Sequence, residues 1–369
     1  MTSILFVSKP VAPPWNDSGK NLVRDLARGL SRYQATLMTR EGEMPAVPGA
    51  GFAQVYAPSS GGFAPAPSDQ LRVLAYLLTR SDHAAWHFFF APNPRSCLAG
   101  KAATTLRRKR SVHTLSSAPR EPRRIVSKLF ADMNVVLSRH TEQRLLECGL
   151  SASRLTRIAP AIEPLTPLTN AQGQAARARF GLGADEPVVV YPGDLEFGGG
   201  AQLMLEAFRS PALSACRLVL ACRAKTPHAR AAELALRAKA HAFGVAERVR
   251  FVGETPEIHA LLGCADVVAL PSRDLYAKMD YPLVLLEAMS LGRPVIVAEG
   301  SAAAELTLGE GASAVAPVAE ALTAQLATLL DNATLRRDSG DQARSAVLEH
   351  YTFDRMARSY EDVYDALLR

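Results

Sequence analysis

Short apolar segments alternate with helical patterns along the first half of the chain. In residues 20–30, Leu22, Val23, Leu26 and Leu30 recur with the spacing of one helix face. The pattern predicts further helices near residues 69–80, 95–107 and 139–148, and strands at residues 4–8, 35–38, 52–56, 86–90, 111–115, 135–138 and 155–159. Because strands and helices alternate, we expect a parallel sheet with helices on both faces.

The alternation starts again after a proline-containing stretch at residues 160–170, which we interpret as an interdomain linker. Beyond it, strands are predicted at residues 188–191, 218–221, 249–252, 267–270, 294–297 and 314–316, and helices near residues 201–208, 227–243, 256–262, 283–291 and 319–331. We therefore predict an α/β protein with two Rossmann-like, doubly wound domains, at residues 1–165 and 171–350. Ligands of such sheets bind at the carboxyl ends of the strands, so we expect the site in a cleft that both domains face. A last amphipathic helix, within residues 351–369, is predicted to pack back on the N-terminal domain.

Length and composition agree with two globular domains. The chain has 369 residues, of which 48% are hydrophobic, and this exceeds what one core usually holds. No apolar run approaches the roughly 18 residues of a membrane span, and the N-terminal segment MTSILFVSKP has the pattern of a buried strand, not of a secretory signal. The five cysteines show no metal-ligand spacing, so we expect reduced thiols in the cytoplasm and no metal site.

Positive charge is concentrated in the first half. Residues 1–170 contain 22 Lys and Arg against 11 Asp and Glu, whereas residues 171–369 contain 20 against 25. The excess peaks between Arg107 and Lys128. A basic surface of this kind can face an anionic lipid surface or a phosphorylated substrate, but the pattern by itself favours an ordinary solvated face of helix ends and loops. The basic residues are not interleaved with aromatic ones, so we expect no nucleic-acid partner.

One carboxylate, Glu287, lies in the apolar segment KMDYPLVLLEAMSLGRPVIVAE of residues 278–299. This segment resembles the C-terminal signature of the retaining, family 4 glycosyltransferases, which have the GT-B fold. Other stretches resemble the same family in the same order: ADMNVVLSRHTEQRLLECGL, RIAPAIEP, VVVYPGDLEFGGGAQLMLEAF and RVRFVGETPEIHALLGCADVVALPS. Their joint order spans nearly the whole chain, and the resemblance implies a GT-B fold.

The resemblance also implies a site for a nucleoside diphosphate sugar. A diphosphate binds backbone N–H groups at a glycine-rich helix start, and the turn GDLEFGGGA supplies Gly193, Gly198, Gly199 and Gly200. In the family, the acid at the position of Glu287 holds the ribose hydroxyls. Its apolar neighbours favour this role over that of a solvent-facing helix residue, because a carboxylate among them needs a partner. The backbone of residues 278–283 is expected to contact the sugar, through Lys278, Asp280, Tyr281, Pro282 and Leu283.

Three positions depart from the family's pattern. The first glutamate of the family's pair corresponds to Met279, which cannot bind sugar hydroxyls, and Asp280 is the expected substitute. The Arg and Lys of the family's diphosphate loop correspond to Asp194 and Gly199.

A diphosphate leaving group needs stabilising charge, so replacement cations are expected. Arg223 and Lys225 follow the next predicted strand and are the candidates, with ordinary solvation of a strand end as the alternative.

The N-terminal domain carries two further candidates. His113 matches the family's histidine near the reacting sugar hydroxyl, and a register shifted by three residues would place Ser116 there instead. The first loop, KPVAPPWNDSGKNLV, is expected to contact the donor or the acceptor through Asp17, Gly19 and Lys20. A helix-cap role for Asp17 is the alternative.

The implied function is transfer of a hexose from a nucleoside diphosphate sugar to an acceptor hydroxyl, with retention and without a metal or other cofactor. The acceptor is expected to be a glycan, a lipid-linked sugar or a small molecule, and the location the cytoplasm, with contact to the anionic inner membrane face as an option. Two alternatives remain open: a non-catalytic binding protein on a degenerate GT-B fold, and a GT-B nucleotide-sugar epimerase.

Overall fold

The computed structural model of the protein describes residues 1–60, 65–275, 278–309 and 311–369. The chain divides into two units. The first unit consists of Met1–Ile162, Lys278–Asp280 and Tyr351–Arg369, and the second unit of Glu163–Ala277 and Tyr281–His350. Lys278–Asp280 thus groups with the first unit, although it lies between two parts of the second unit along the chain.

The first unit is built on a parallel sheet of seven strands. These are β1 (Thr2–Val7), β2 (Tyr33–Arg40), β3 (Gly51–Tyr56), β4 (Ala85–Phe89), β5 (Arg110–Leu115), β6 (Met133–Val136) and β7 (Leu155–Arg157). Their order across the sheet is β3-β2-β1-β4-β5-β6-β7. Ile4, Leu5 and Phe6 of the central β1 are fully buried, as expected for a strand covered on both faces.

The helices that follow these strands begin at recognisable caps. They are α1 (Ser18–Gly29), α2 (Pro67–Thr79), α3 (Pro94–Arg107), α4 (Pro122–Val126) and α5 (Arg139–Glu147). The side chains of Asp17, Asn93 and Ser138 accept backbone N–H groups at the starts of α1, α3 and α5. These capping interactions fix the residue at which each of the three helices begins.

The second unit repeats the plan with a parallel sheet of six strands. Its strands are β8 (Val188–Tyr191), β9 (Arg217–Leu220), β10 (Val249–Phe251), β11 (Val267–Leu270), β12 (Val295–Ala298) and β13 (Ala312–Val315), in the order β10-β9-β8-β11-β12-β13. Its helices are α6 (Asn170–Arg179), α7 (Gly200–Ala207), α8 (Ala229–Ala242), α9 (Ile258–Gly263), α10 (Leu283–Ser290), α11 (Ala319–Asp331) and α12 (Ala333–His350).

The C-terminal helix α13 (Phe353–Leu368) belongs to the first unit. Its fully buried Tyr364 hydroxyl lies 2.6 Å from Nδ1 of His87 on β4, and Nε2 of His87 lies 2.7 Å from the Thr114 hydroxyl on β5. The carboxylate of Glu361 accepts the N–H groups of Ser31 and Arg32. These buried bonds make α13 an integral part of the first unit.

The predicted α/β class and all predicted strands are confirmed, with strand ends displaced by a residue or two. Helices α4, α6 and α12 were missed. The pattern of α12 is polar and contains Gly340, which normally argues against a helix. That glycine packs on the turn after α10, because a Cβ there would lie 2.2 Å from the Gly292 carbonyl oxygen. Among the described residues, no helix is long and apolar enough to cross a bilayer.

Candidate functional site

The second sheet reverses its winding direction between β8 and β11, the neighbouring strands from which the chain winds outward both ways. Ligands of doubly wound sheets bind outside the carboxyl ends of the strands at such a point. The glycine turn of residues 193–200 follows β8, and Ser272 to Asp274 follow β11. The predicted phosphate-binding turn therefore lies at the switch point.

Close packing around Tyr191 shapes the first part of the glycine turn. The Tyr191 hydroxyl donates to the Asp194 carbonyl at 2.9 Å and accepts the Asp194 N–H at 3.2 Å. A Cβ on Gly193 would lie 1.9 Å from Cζ of the Tyr191 ring. Residue 193 must therefore be glycine for the turn to close over the ring.

The second part of the turn is held against the loop after β11. Arg273 donates its N–H to the Gly198 carbonyl at 3.1 Å. A Cβ on Gly198, whose φ is 72°, would lie 2.4 Å from the Asp274 carbonyl oxygen, and one on Gly200 would lie 2.5 Å from Oγ of Ser272. Gly199 has a φ of 66° and caps α7. The turn is thus a packed backbone arrangement and not a loose surface loop.

Two acids of the turn bind the loop after β9. Nζ of Lys225 lies 3.0 Å from Oδ1 of Asp194, and these side chains are only 9% and 6% exposed. The Thr226 hydroxyl donates to Glu196 at 2.5 Å. Lys225, a predicted replacement cation, therefore forms an ion pair with the residue that stands in the family's arginine position. Arg223 lies half-buried in the same loop.

Glu287 lies on α10 with only 19% of its side chain exposed. Its Oε2 is 3.5 Å from Nε2 of His259, near the start of α9. The hydrogen bond to Glu287 raises the pKa of His259 above its ordinary value of 6.5, although burial opposes the shift. Glu287 thus has a partner and is not a freely solvated helix residue. Its contact with ribose stays a prediction.

The residues before Glu287 are fixed by packing. The buried Tyr281 donates its hydroxyl to Glu305 at 2.6 Å, Pro282 is the cap of α10, and the buried Leu283 begins that helix. These interactions do not test the predicted backbone contacts with a sugar. They do fix the conformation of the backbone that leads into α10.

Asp280 is engaged within the first unit. Its buried carboxylate accepts the Ser138 hydroxyl at 2.6 Å and the Ala118 N–H at 3.2 Å, and its own N–H donates to the Ser116 carbonyl at 2.9 Å. Burial raises the pKa of Asp280 above its ordinary value even though these bonds favour the ionised form. Met279 beside it is buried, and Lys278 is half-buried. Both carboxylate oxygens of Asp280 are thus bound by protein groups.

His113 is fully buried on β5, where its ring packs on Phe90 and Phe130. Nε2 lies 2.9 Å from the Phe90 carbonyl, which requires a proton on Nε2 and leaves Nδ1 as an acceptor. Among the described residues, Nδ1 has no hydrogen-bond partner. Burial lowers the pKa of His113 to about 4, so the ring is neutral at physiological pH.

The first loop is held by its own side chains. Asp17 caps α1 through the Lys20 N–H at 3.1 Å and pairs with Lys9 at 2.5 Å. The Lys20 ammonium donates to the carbonyls of Ala12 and Pro14, both at 2.8 Å, and Gly19 lies in the first turn of α1. The cap role given above as the alternative for Asp17 is therefore present. Ligand contacts of Asp17, Gly19 and Lys20 stay predictions.

Sequence reasoning missed Tyr191, Glu196, His259 and Glu305. Tyr191 could have been suspected, since it directly precedes the glycine turn. His259 shows no local signal, because its partner is 28 positions away on another helix. Within the described residues, no group of three His, Cys, Asp or Glu side chains could hold a metal ion.

Comparisons with known proteins agree with this geometry. Residues 186–332 match the family model described as glycosyl transferases group 1. A D-inositol 3-phosphate glycosyltransferase of Jonesia denitrificans is 33% identical over 141 residues, which cover 36% of this chain and 32% of that protein. An N-acetyl-alpha-D-glucosaminyl L-malate synthase of Bacillus anthracis is 29% identical over 127 residues, or 34% of this chain and 32% of that protein. The matched region thus spans about a third of the length of these relatives.

The crystal structure of Anabaena Alr3699/HepE in complex with UDP and glucose covers 100% of both chains, with a TM-score of 0.80 and 17% identity. The two parallel α/β sheets, of seven and six strands, therefore have the GT-B fold. Residues 186–332, which contain the second sheet, are thus similar to the group 1 glycosyltransferases.

Proposed function

We propose that the protein transfers a hexose from a nucleoside diphosphate sugar to an acceptor hydroxyl, with retention of configuration. The glycine turn locked at the switch point of the second sheet carries this proposal. Such a turn presents backbone N–H groups to a diphosphate without side chains in the way. Structures similar in fold contain UDP and glucose, which supports a nucleotide sugar as the donor.

In the proposed complex, the second unit binds the nucleotide. The turn around Gly198 and Gly199 holds the diphosphate, Lys225 and Arg223 stabilise its charge, and Glu287 accepts the ribose hydroxyls. Transfer breaks the bond between the anomeric carbon and the diphosphate oxygen and forms one to the acceptor oxygen, and the acceptor proton passes to the leaving diphosphate. We assign no metal to this step, because the two cations supply the charge that the leaving group needs.

Two residues of the first unit receive different roles. Nδ1 of His113 is proposed to accept a hydrogen bond from a substrate hydroxyl, since it is a neutral acceptor without a protein partner among the described residues. Asp280 is proposed to be structural, because protein donors already bind both of its oxygens.

The acceptor is proposed to be anionic. The names of the two relatives state an inositol phosphate and malate, and both are negatively charged molecules. The excess of Lys and Arg in residues 1–170 favours such an acceptor over a neutral glycan. A lipid-linked phosphate sugar has the same charge, so a screen should include both soluble and lipid-linked acceptors.

Thermal stability with nucleotides tests the donor site. We expect UDP or GDP, or one of their sugars, to raise the melting temperature, because a ligand that binds only the folded state stabilises it. Glu287→Ala should abolish the shift, whereas Glu233→Ala, on the surface of α8, should retain it. The proposal is wrong if no nucleotide raises the melting temperature of the wild-type protein.

A second candidate is a nucleotide-sugar-binding protein without turnover. The buried ion pair of Lys225 with Asp194 favours it, because that pair leaves less positive charge for a leaving group. Donor hydrolysis and transfer assays separate the two candidates. A thermal shift without either reaction, over a panel of donors and acceptors, would favour the binding protein.

A further inference from the structure

Helix α3 exposes its large apolar side chains and buries small ones. Its buried face consists of Cys97, Gly100, Ala103 and Thr104. Its two leucines, Leu98 and Leu106, are 69% and 71% exposed. Ala102, also exposed, lies one helical turn from each of them and completes a stripe along the helix. An exposed apolar stripe is informative, since single exposed leucines are common but aligned ones are not.

Internal packing explains the small residues but not the leucines. A Cβ on Gly100 would lie 2.4 Å from Cζ of Phe130, so the inner face of α3 has to be small where that ring packs. Thr104 hydrogen bonds to the helix's own backbone at Gly100. The outward leucines lie on the opposite side. The core of the first unit therefore does not require them.

Positive charge alone flanks the stripe on this helix. Arg95 and Lys101 are exposed on the same face, Arg108 follows at the C-terminal cap, and α3 contains no acidic residue. The neighbouring Arg107 and Lys109 are committed elsewhere, since both donate to backbone carbonyls of the segment before β4. The cations of this region thus form two groups. Arg107 and Lys109 bind backbone carbonyls, whereas Arg95, Lys101 and Arg108 are exposed on the surface.

Further cations are exposed in the segment that follows β5. Lys128 is exposed just after α4. Arg123 and Arg124 are exposed on α4, where Arg124 pairs with Glu121. On α3 itself, the leucine stripe is therefore accompanied by exposed cations and by no carboxylate.

We propose that this α3 face, formed by Arg95, Leu98, Lys101, Ala102, Leu106 and Arg108, docks on an anionic lipid surface. The leucines would enter the boundary of the acyl chains, while the cations lie at the level of the lipid phosphates. Another protein could also cover the leucines, but the one-sided charge of the rim fits a sheet of phosphates. The proposal does not depend on the donor site of the second unit.

Cosedimentation with vesicles tests the proposal on the full chain without nucleotide. We expect retention on vesicles of phosphatidylcholine mixed with phosphatidylglycerol at low salt, and little retention on phosphatidylcholine alone. Leu98→Ser combined with Leu106→Ser should lower the partition coefficient by about tenfold or more. Lys101→Glu should lower it by at least about fivefold, and added salt should reduce the loss.

Met44→Ser is the matched control, since Met44 is 73% exposed and lies beside the acidic Glu41 and Glu43 instead of a basic rim. It should bind vesicles like the wild-type protein. Unchanged circular dichroism and melting temperature would show that each variant is folded. The proposal is overturned if the wild-type protein does not bind the mixed vesicles, or if the double leucine variant binds them like the control. It is also overturned if that variant only converts a dimer to a monomer in light scattering.

Discussion

Asp194 and Lys225 show how one departure from the family's pattern is matched by another. An acid occupies the place of the family's arginine, and a lysine from the next loop lies 3.0 Å from it in a buried setting. Charges in such a buried setting are costly unless they are paired, so the ion pair stabilises both side chains there. Sequence reasoning identified Lys225 as a cation of this site but not its ion pair, because the pair joins two loops that are distant along the chain.

We expect Lys225→Met to lower the free energy of unfolding by about 3–5 kcal/mol, because it removes the cation paired with the buried Asp194 carboxylate. Combining it with Asp194→Asn should restore most of that loss. The double variant should nevertheless show no thermal shift with UDP or GDP, since we propose that Lys225 also contacts the diphosphate. Urea unfolding and thermal shifts measure the two effects.

The exposed pair of Arg237 and Glu233 on α8 provides the control. Its removal should change the free energy of unfolding by less than about 1 kcal/mol. If the double variant of Asp194 and Lys225 responds to nucleotides like the wild-type protein, Lys225 is only structural.

His259 should titrate above its ordinary value because Glu287 accepts its proton. A histidine with a raised pKa in the folded state stabilises the fold at low pH, and this contribution is lost as the pH rises through that pKa. The stability of the wild-type protein relative to His259→Gln should therefore fall as the pH rises above the ordinary histidine pKa of 6.5 and through the raised pKa, by less than about 1 kcal/mol because His259 is half-exposed. NMR titration of the imidazole gives the direct measurement. Glu287→Gln should return the pKa toward its ordinary value, and an unchanged pKa would contradict the pairing.

The glycine turn shows what the sequence predicts about an element and what it cannot. Three successive glycines before a helix predicted both the turn and its place after a strand. The sequence did not predict why Gly198 and Gly200 are needed, since the atoms that exclude a Cβ there belong to Tyr191, Ser272 and Asp274. In the same way, the pattern of α13 predicted an amphipathic helix, whereas its bond to His87 depends on a residue 277 positions away. Periodicity predicts elements, and the polar bonds between them follow from the tertiary fold.

Gly198 and Gly199 offer a matched pair for testing the turn. Both have positive φ, but only Gly198 has a backbone oxygen where a Cβ would lie. Gly199→Ala should cost about 1–2 kcal/mol for the left-handed conformation alone. Gly198→Ala should cost clearly more, since it must also displace the Asp274 carbonyl, and it should weaken nucleotide binding if the turn holds the diphosphate. Equal losses of stability in urea unfolding would contradict the packing described for this turn.

Lys278–Asp280 belongs to the first unit, although along the chain it lies between two parts of the second unit. Sequence reasoning expected Asp280 to contact the sugar, as the substitute for Met279, which occupies the position of the family's first glutamate. Its hydrogen bonds instead go to Ser116, Ala118 and Ser138 of the first unit, more than 100 positions away. The fold class and the glycine turn were predictable from local pattern. The hydrogen bonds of Asp280 were not, because they depend on which unit its segment joins.

Two substitutions of Asp280 separate a structural role from a catalytic one. Asp280→Ala leaves the Ser138 hydroxyl and the Ala118 N–H without an acceptor and should cost about 1–3 kcal/mol or more in urea unfolding. Asp280→Asn keeps an acceptor oxygen, so it should fold and keep most of the transferase activity. Because burial raises the pKa of Asp280, its ionised form is disfavoured in the folded protein, and the penalty disappears as the pH falls through that pKa. The wild-type protein should therefore gain stability relative to Asp280→Asn as the pH falls below neutral. Loss of transfer in Asp280→Asn, with normal stability and normal nucleotide binding, would instead show that this carboxylate acts on the substrate.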